Sequence, residues 1–189
     1  IETKKISSCR VITTRANVFI MNGKQSKKLY MIGGTMGVGK STVCRFLKTI
    51  LPDCVFLDGD WCWDSNPFVV TAETKNIVID NICHILNNFL NCSAYKNIVF
   101  CWVMHDQSII DNIIANLNLN GAEINCISLT ADKNTIKNRL EKDISAGIRK
   151  ADIIERSLER LPLYDRLDTI KINTDNKTAE EISQEISAL

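Results

Sequence analysis

Eight consecutive residues, Gly34-Thr35-Met36-Gly37-Val38-Gly39-Lys40-Ser41, limit what this chain can fold into more than any other feature of it. They fit G-x-x-x-x-G-K-[ST] in full. Glycines let the backbone bend until successive N–H groups converge on phosphate oxygens, and a helix opening at that point adds its positive end. Lys40 supplies a cation to the β- and γ-phosphates and Ser41 a hydroxyl to Mg²⁺, with Thr42 continuing the same turn. The pattern requires a strand before it and a helix after it. Leu29 to Ile32 is a short apolar run, and Lys40 to Leu51 reads as a helix stopped by Pro52. The expected ligand is a nucleoside triphosphate, ATP with Mg²⁺.

The rest of the chain repeats that alternation. Cys54 to Leu57 is a second strand, and a long amphipathic helix runs from about Ala72 to Cys92 with Thr71 as its N-cap. Asn97 to Met104 is apolar nearly throughout, as a parallel strand covered on both faces is. Ser108 to Leu119 is a helix, Ile124 to Leu129 a strand and Lys133 to Lys142 a helix. Asp143 to Lys150, which contains Gly147, reads as a mobile connection. Asp152 with Glu155 opens a helix that Pro162 closes, Thr169 to Ile172 is a fifth strand, and Thr178-x-x-Glu181 is a capping box. Strand and helix alternating in this way imply an α/β fold with a parallel sheet between two helical layers.

Composition narrows the partners. Among 189 residues, 23 Lys plus Arg face 22 Asp plus Glu, so there is no basic excess to neutralise a nucleic-acid backbone. No apolar run approaches the roughly 18 residues of a spanning helix, which argues against a membrane role. Eight cysteines form no C-x-x-C pair and sit mostly in apolar runs, as small core residues do in a reducing cytoplasm. Residues 1–27 stand apart as an N-terminal extension before a domain spanning 28–189. Met21 opens a polar stretch and is expected to be the natural start; the other reading makes Arg10 to Ile20, rich in β-branched residues, an extra strand.

Asp58-Gly59-Asp60 follows the second strand. Two residues apart on a strand, the carboxylates leave on one side, roughly 6.5 Å apart, at the sheet edge where ligands bind. One acid is suited to hold Mg²⁺ through water and the other to accept the proton of an attacking hydroxyl. Trp61 and Trp63 have two readings, as walls of a pocket for a flat or apolar substrate and as plain packing; packing is preferred for Trp102. Asp106 is read as a helix cap before a Mg²⁺ ligand. Arg139, Arg149, Arg156 and Arg160 cluster late in the chain. Arg149, beside Gly147, is placed to close on a transferring phosphoryl group, whereas Arg156 and Arg160 read as surface decoration.

With the phosphate loop, the D-G-D turn and the late arginines in this order, the chain from Leu29 to Leu189 resembles the P-loop small-molecule kinases. These include gluconate, shikimate and adenylylsulfate kinases and chloramphenicol phosphotransferases, relatives of the nucleoside monophosphate kinases. The resemblance implies a three-layer P-loop NTPase fold with a five-stranded parallel sheet of order 2-3-1-4-5 and a small helical lid, here about 143–162. It implies that Asp58 supports the metal and Asp60 binds the acceptor hydroxyl and acts as base. It further implies that Arg149 is the lid arginine and that Arg139 and Asn173-Thr174-Asp175 lie near the adenine. Such a protein is a cytoplasmic monomer or homodimer acting on a small molecule. Trp61-Cys62-Trp63 departs from the acceptor-binding signatures of these kinases.

Overall fold

The computed structural model describes residues 26–189; the expectations for Met21 and for Arg10 to Ile20 lie outside the described residues. Five strands make one sheet: β1 (Lys28–Gly33), β2 (Cys54–Asp58), β3 (Asn97–Cys101), β4 (Glu123–Thr130) and β5 (Ile170–Asn173). All neighbours are parallel and the order is β2-β3-β1-β4-β5, as expected. β1 is central because its Leu29, Tyr30, Met31 and Ile32 are apolar on both faces. Tyr30 and Ile32 point into a core formed with α1 (Lys40–Ile50), α4 (Lys133–Ser145), α5 (Ile153–Arg160) and α6 (Ala179–Ser187). Leu29 and Met31 point the other way, onto α2 (Ala72–Asn91) and α3 (Gln107–Ala115).

Parallel strands bring their carboxyl ends to one edge, where β1 hands the chain to the phosphate loop and β2 hands it to Asp58. Three helix starts follow side chains named from sequence, while Asp152 precedes α5 without a side-chain cap bond. Thr71 accepts from the Thr74 N–H in a capping box, as Thr178 does from Glu181. Asp106 accepts from the Ser108 N–H, which makes it a cap.

Four expectations need correction, the first being α3, which ends at Ala115 rather than Leu119. β3 ends at Cys101, three residues early, so Trp102 lies beyond the ladder at the crevice edge. Asp60 is not on a strand: after Asp58 the chain turns into a short 3₁₀ helix, Gly59–Cys62. Asp58 causes that turn by accepting the Asp60 N–H at 3.2 Å. The connection from Asp143 is helical to Ser145, because α4 continues to a left-handed turn at Gly147 (φ 72°).

Candidate functional site

The phosphate loop is braced from several sides. Gly39 caps α1 at φ 106°, a left-handed conformation natural to glycine, and a Cβ there would meet only open space. The Thr35 hydroxyl donates to the Ser157 carbonyl at 2.8 Å, and the Ser157 hydroxyl donates to the Met36 carbonyl at 2.7 Å. Thr35, Ser157 and Val38 are almost fully buried. Arg139 donates to the Val38 carbonyl at 3.1 Å and to both the hydroxyl and carbonyl of Thr174 at 3.0 Å. It therefore ties the loop to the segment after β5, where the resemblance placed it beside a base. Gly34 and Gly37 fill the remaining bends of the loop, and Thr42 is exposed on the first turn of α1.

Lys40 folds back over this cradle. Its ammonium donates to the carbonyls of Gly34 at 2.8 Å and Thr35 at 3.1 Å. Desolvation lowers its pKa, opposed by nearby Cys101, Asp60 and Asp58. The Ser41 hydroxyl donates to Asp58 Oδ2 at 2.6 Å. A hydroxyl beside a carboxylate is a hard oxygen pair of the type Mg²⁺ takes. Among the described residues no group of three or more His, Cys, Asp or Glu forms a metal cage. A cation here would complete its shell with water and phosphate oxygens, which fits a nucleotide site.

Asp60, like Asp58, is close enough to the lysine for its charge to act on it. It is exposed by area, yet it borders the crevice, and desolvation, then the Asp58 charge, raise its pKa; Lys40, a hydrogen bond from Trp102 and Arg149 oppose the rise. Trp102 lies so close to Gly59 that a Cβ there would come within 2.6 Å of the indole. Packing alone does not describe Trp102, since it also holds Asp60. Trp61 is largely exposed, with its ring edge-on to Phe56 at 5.3 Å, and Trp63 meets Phe68 at 4.9 Å.

The arginines divide differently from the sequence reading. Arg149 pairs with Asp143 at 3.1 Å across the turn, near enough for its charge to act on Asp60. Arg156 pairs with Asp152 at 3.5 Å on the surface of α5, as read. Arg160 reaches the loop, with a guanidinium nitrogen 3.5 Å from Met36 Sδ. Sequence reasoning missed Arg160 and Ser157, which lie more than 120 residues from their partners in the loop. The only sequence signal was that both lie on one helix of the expected lid.

The AAA domain family matches residues 31–160, from within β1 to the end of α5. No curated protein matches the chain. Among solved structures, the chain is similar to a tunicamycin resistance protein from Deinococcus radiodurans, at 16% identity over 86% of this chain and 94% of that one (TM-score 0.63). It is similar to a gluconokinase from Sinorhizobium meliloti at 17% identity over 87% and 90% (TM-score 0.61). It is also similar to a shikimate kinase from Acinetobacter baumannii solved with shikimate, at 19% identity over 87% and 92% (TM-score 0.58). At such identities the likeness is one of fold, and function has to be argued from the site. With well over half of its length matched, phosphate loop included, the chain belongs to the AAA domain family.

Proposed function

We propose that this chain is an ATP-dependent phosphotransferase that moves the γ-phosphoryl group to a hydroxyl or phosphate of a small molecule. The carrying observation is the division between its two acids. Asp58 is engaged by the Ser41 hydroxyl and the Asp60 N–H, whereas the Asp60 carboxylate takes a hydrogen bond from the Trp102 indole and lies within reach of the Lys40 and Arg149 charges. A switch protein has little use for a second carboxylate across an open crevice.

In this reading Lys40 leaves the Gly34 and Thr35 carbonyls for the phosphates, while the loop N–H groups hold them. Mg²⁺ held by Ser41, Asp58 and water would offset the charge of the phosphates. Asp60 takes the proton of the acceptor hydroxyl as its oxygen bonds to the γ-phosphorus, and the bond to the β–γ bridging oxygen breaks, releasing ADP. Arg160, already at Met36, and Arg149, released from Asp143, bring positive charge to the transferring group.

The test is transfer from γ-labelled ATP with Mg²⁺ to a broad panel of alcohols, sugars and nucleosides. Acceptor-dependent label in an organic phosphate is the expected result. Phosphate release that no acceptor changes would leave a nucleotide hydrolase and end this proposal.

A further inference from the structure

The ten residues after Asp60, Trp61 to Val70, read WCWDSNPFVV and carry a single charged side chain, Asp64. Four of the exposed large apolar side chains among the described residues lie in this run. Trp61 is 58% exposed, Phe68 60% and Val70 53%, with Val69 and Ile77 beside them in the chain and on α2. Large apolar side chains exposed this densely along one short run are a feature of binding surfaces. The residues are held in place. Trp61 leans on Phe56, Trp63 on Phe68, and the Asn81 amide donates to the Cys62 carbonyl at 3.4 Å.

The surface begins at the residue next to the proposed base. Ile148, next in the chain to Arg149, whose charge acts on Asp60, is itself 69% exposed on the lid turn. An acceptor with its hydroxyl at Asp60 therefore has exposed apolar side chains beside it, starting at Trp61. A carboxylate or phosphate on that body would lie against Asp60 and Asp64. Of the nearby cations, Lys75 and Arg160 act on His105, Arg160 also lies on Met36, and Arg149 is paired with Asp143.

We infer that the acceptor is a neutral alcohol with an aromatic or extended apolar body, seated on Trp61, Phe68, Val69 and Val70 with its hydroxyl at Asp60. This rests on the phosphotransfer reading and names its substrate class. Burying each further methylene should tighten binding about fourfold until the surface is covered.

The experiment uses the full chain with ADP and Mg²⁺ and a series of phenylalkanols, from 2-phenylethanol to 6-phenylhexanol, beside the matching phenylalkanoates. Calorimetry should show affinity rising along the alcohols and far weaker binding of the carboxylates. Trp61→Ala and Phe68→Ala should each weaken the longest alcohol about tenfold, while Phe46→Ala, an exposed aromatic on the second turn of α1, changes nothing. Absence of saturable alcohol binding, tighter binding of the carboxylates, or unaltered binding in both variants would each overturn the inference. Label transfer from ATP, measured on the same ligands, separates the two readings. Tight alcohol binding without transfer would overturn the phosphotransfer reading while upholding the apolar site. Transfer confined to carboxylate- or phosphate-bearing acceptors would do the reverse.

Discussion

The two walls of the crevice are built by opposite means. On the phosphate wall, Thr35, Met36, Val38, Lys40 and Ser41 are each tied by at least one hydrogen bond to another part of the chain or loop. On the acceptor wall, Trp61, Phe68, Val69 and Val70 stand open to water, held by ring contacts and a few backbone bonds. Triphosphate is the same ligand in every protein that uses it, so its cradle gains from being rigid and finished beforehand. An acceptor differs from enzyme to enzyme, and its wall takes final form when apolar surface is covered.

The sharpest break between the walls is Asp60→Asn, which keeps the shape and loses the proton acceptor. Turnover with a confirmed acceptor should fall about 10²- to 10⁴-fold, while ATP affinity stays within a few-fold. Full activity in this variant would move the base elsewhere. Loss of ATP binding would show that Asp60 belongs to the phosphate wall.

Lys40→Ala attacks that wall instead. A ligand at about a hundred times its Kd stabilises a protein by about 2.7 kcal/mol, which for a domain of this size is a Tm rise of about 5–11 °C. The variant should lose most of the rise produced by ATP·Mg²⁺. An undiminished rise would show that the nucleotide sits away from the loop.

Ser157→Ala asks whether the bracing matters. It removes one hydroxyl between Thr35 and the Met36 carbonyl in a fully buried setting. Leaving buried polar groups unpaired costs about 1–3 kcal/mol. Thermal melts should show that loss, with weaker ATP binding and no change in binding at the acceptor wall. A variant as stable as the parent would mean the loop holds its shape without α5.

This contrast also explains what was legible in the sequence. Local rules read the phosphate wall well: the octapeptide, the strand before it and the capped helices depend on neighbours a few residues apart. Alternating apolar runs were enough to foretell a parallel sheet, and the order β2-β3-β1-β4-β5 followed from resemblance. Asp60 was misplaced because Asp58 has two uses for its carboxylate, and the second, accepting the Asp60 N–H, ends the strand. Ser157 and Arg160 were missed because the folding of α5 onto the loop leaves no mark on nearby residues. An apolar run continuing to Met104 makes Trp102 look like core, whereas β3 ends three residues earlier at Cys101.

The smallest expected effect concerns stability and again sets Asp60 apart from Asp58. Desolvation, followed by the Asp58 charge, raises the Asp60 pKa above its ordinary 3.8. The native protein therefore holds this proton more tightly than the unfolded chain does. The stabilisation that goes with a raised pKa is complete below pH 3.8 and is lost as pH rises through the folded value, so at pH 7 the ionised group opposes folding. Asp60→Asn should then melt slightly higher than the parent at pH 7, by about 1–2 °C, because Asp60 is exposed enough for water to screen most of the effect. The gain should shrink as pH is lowered from 7 toward 4. Asp58→Asn should do the opposite at pH 7 and melt lower, since it disturbs the acceptor of both the Ser41 hydroxyl and the Asp60 N–H. A base held at some cost to folding is common at active sites. If Asp60→Asn melted lower at pH 7, attraction to Lys40 and Arg149 would outweigh desolvation, and Asp60 would belong with the bracing rather than with the open wall.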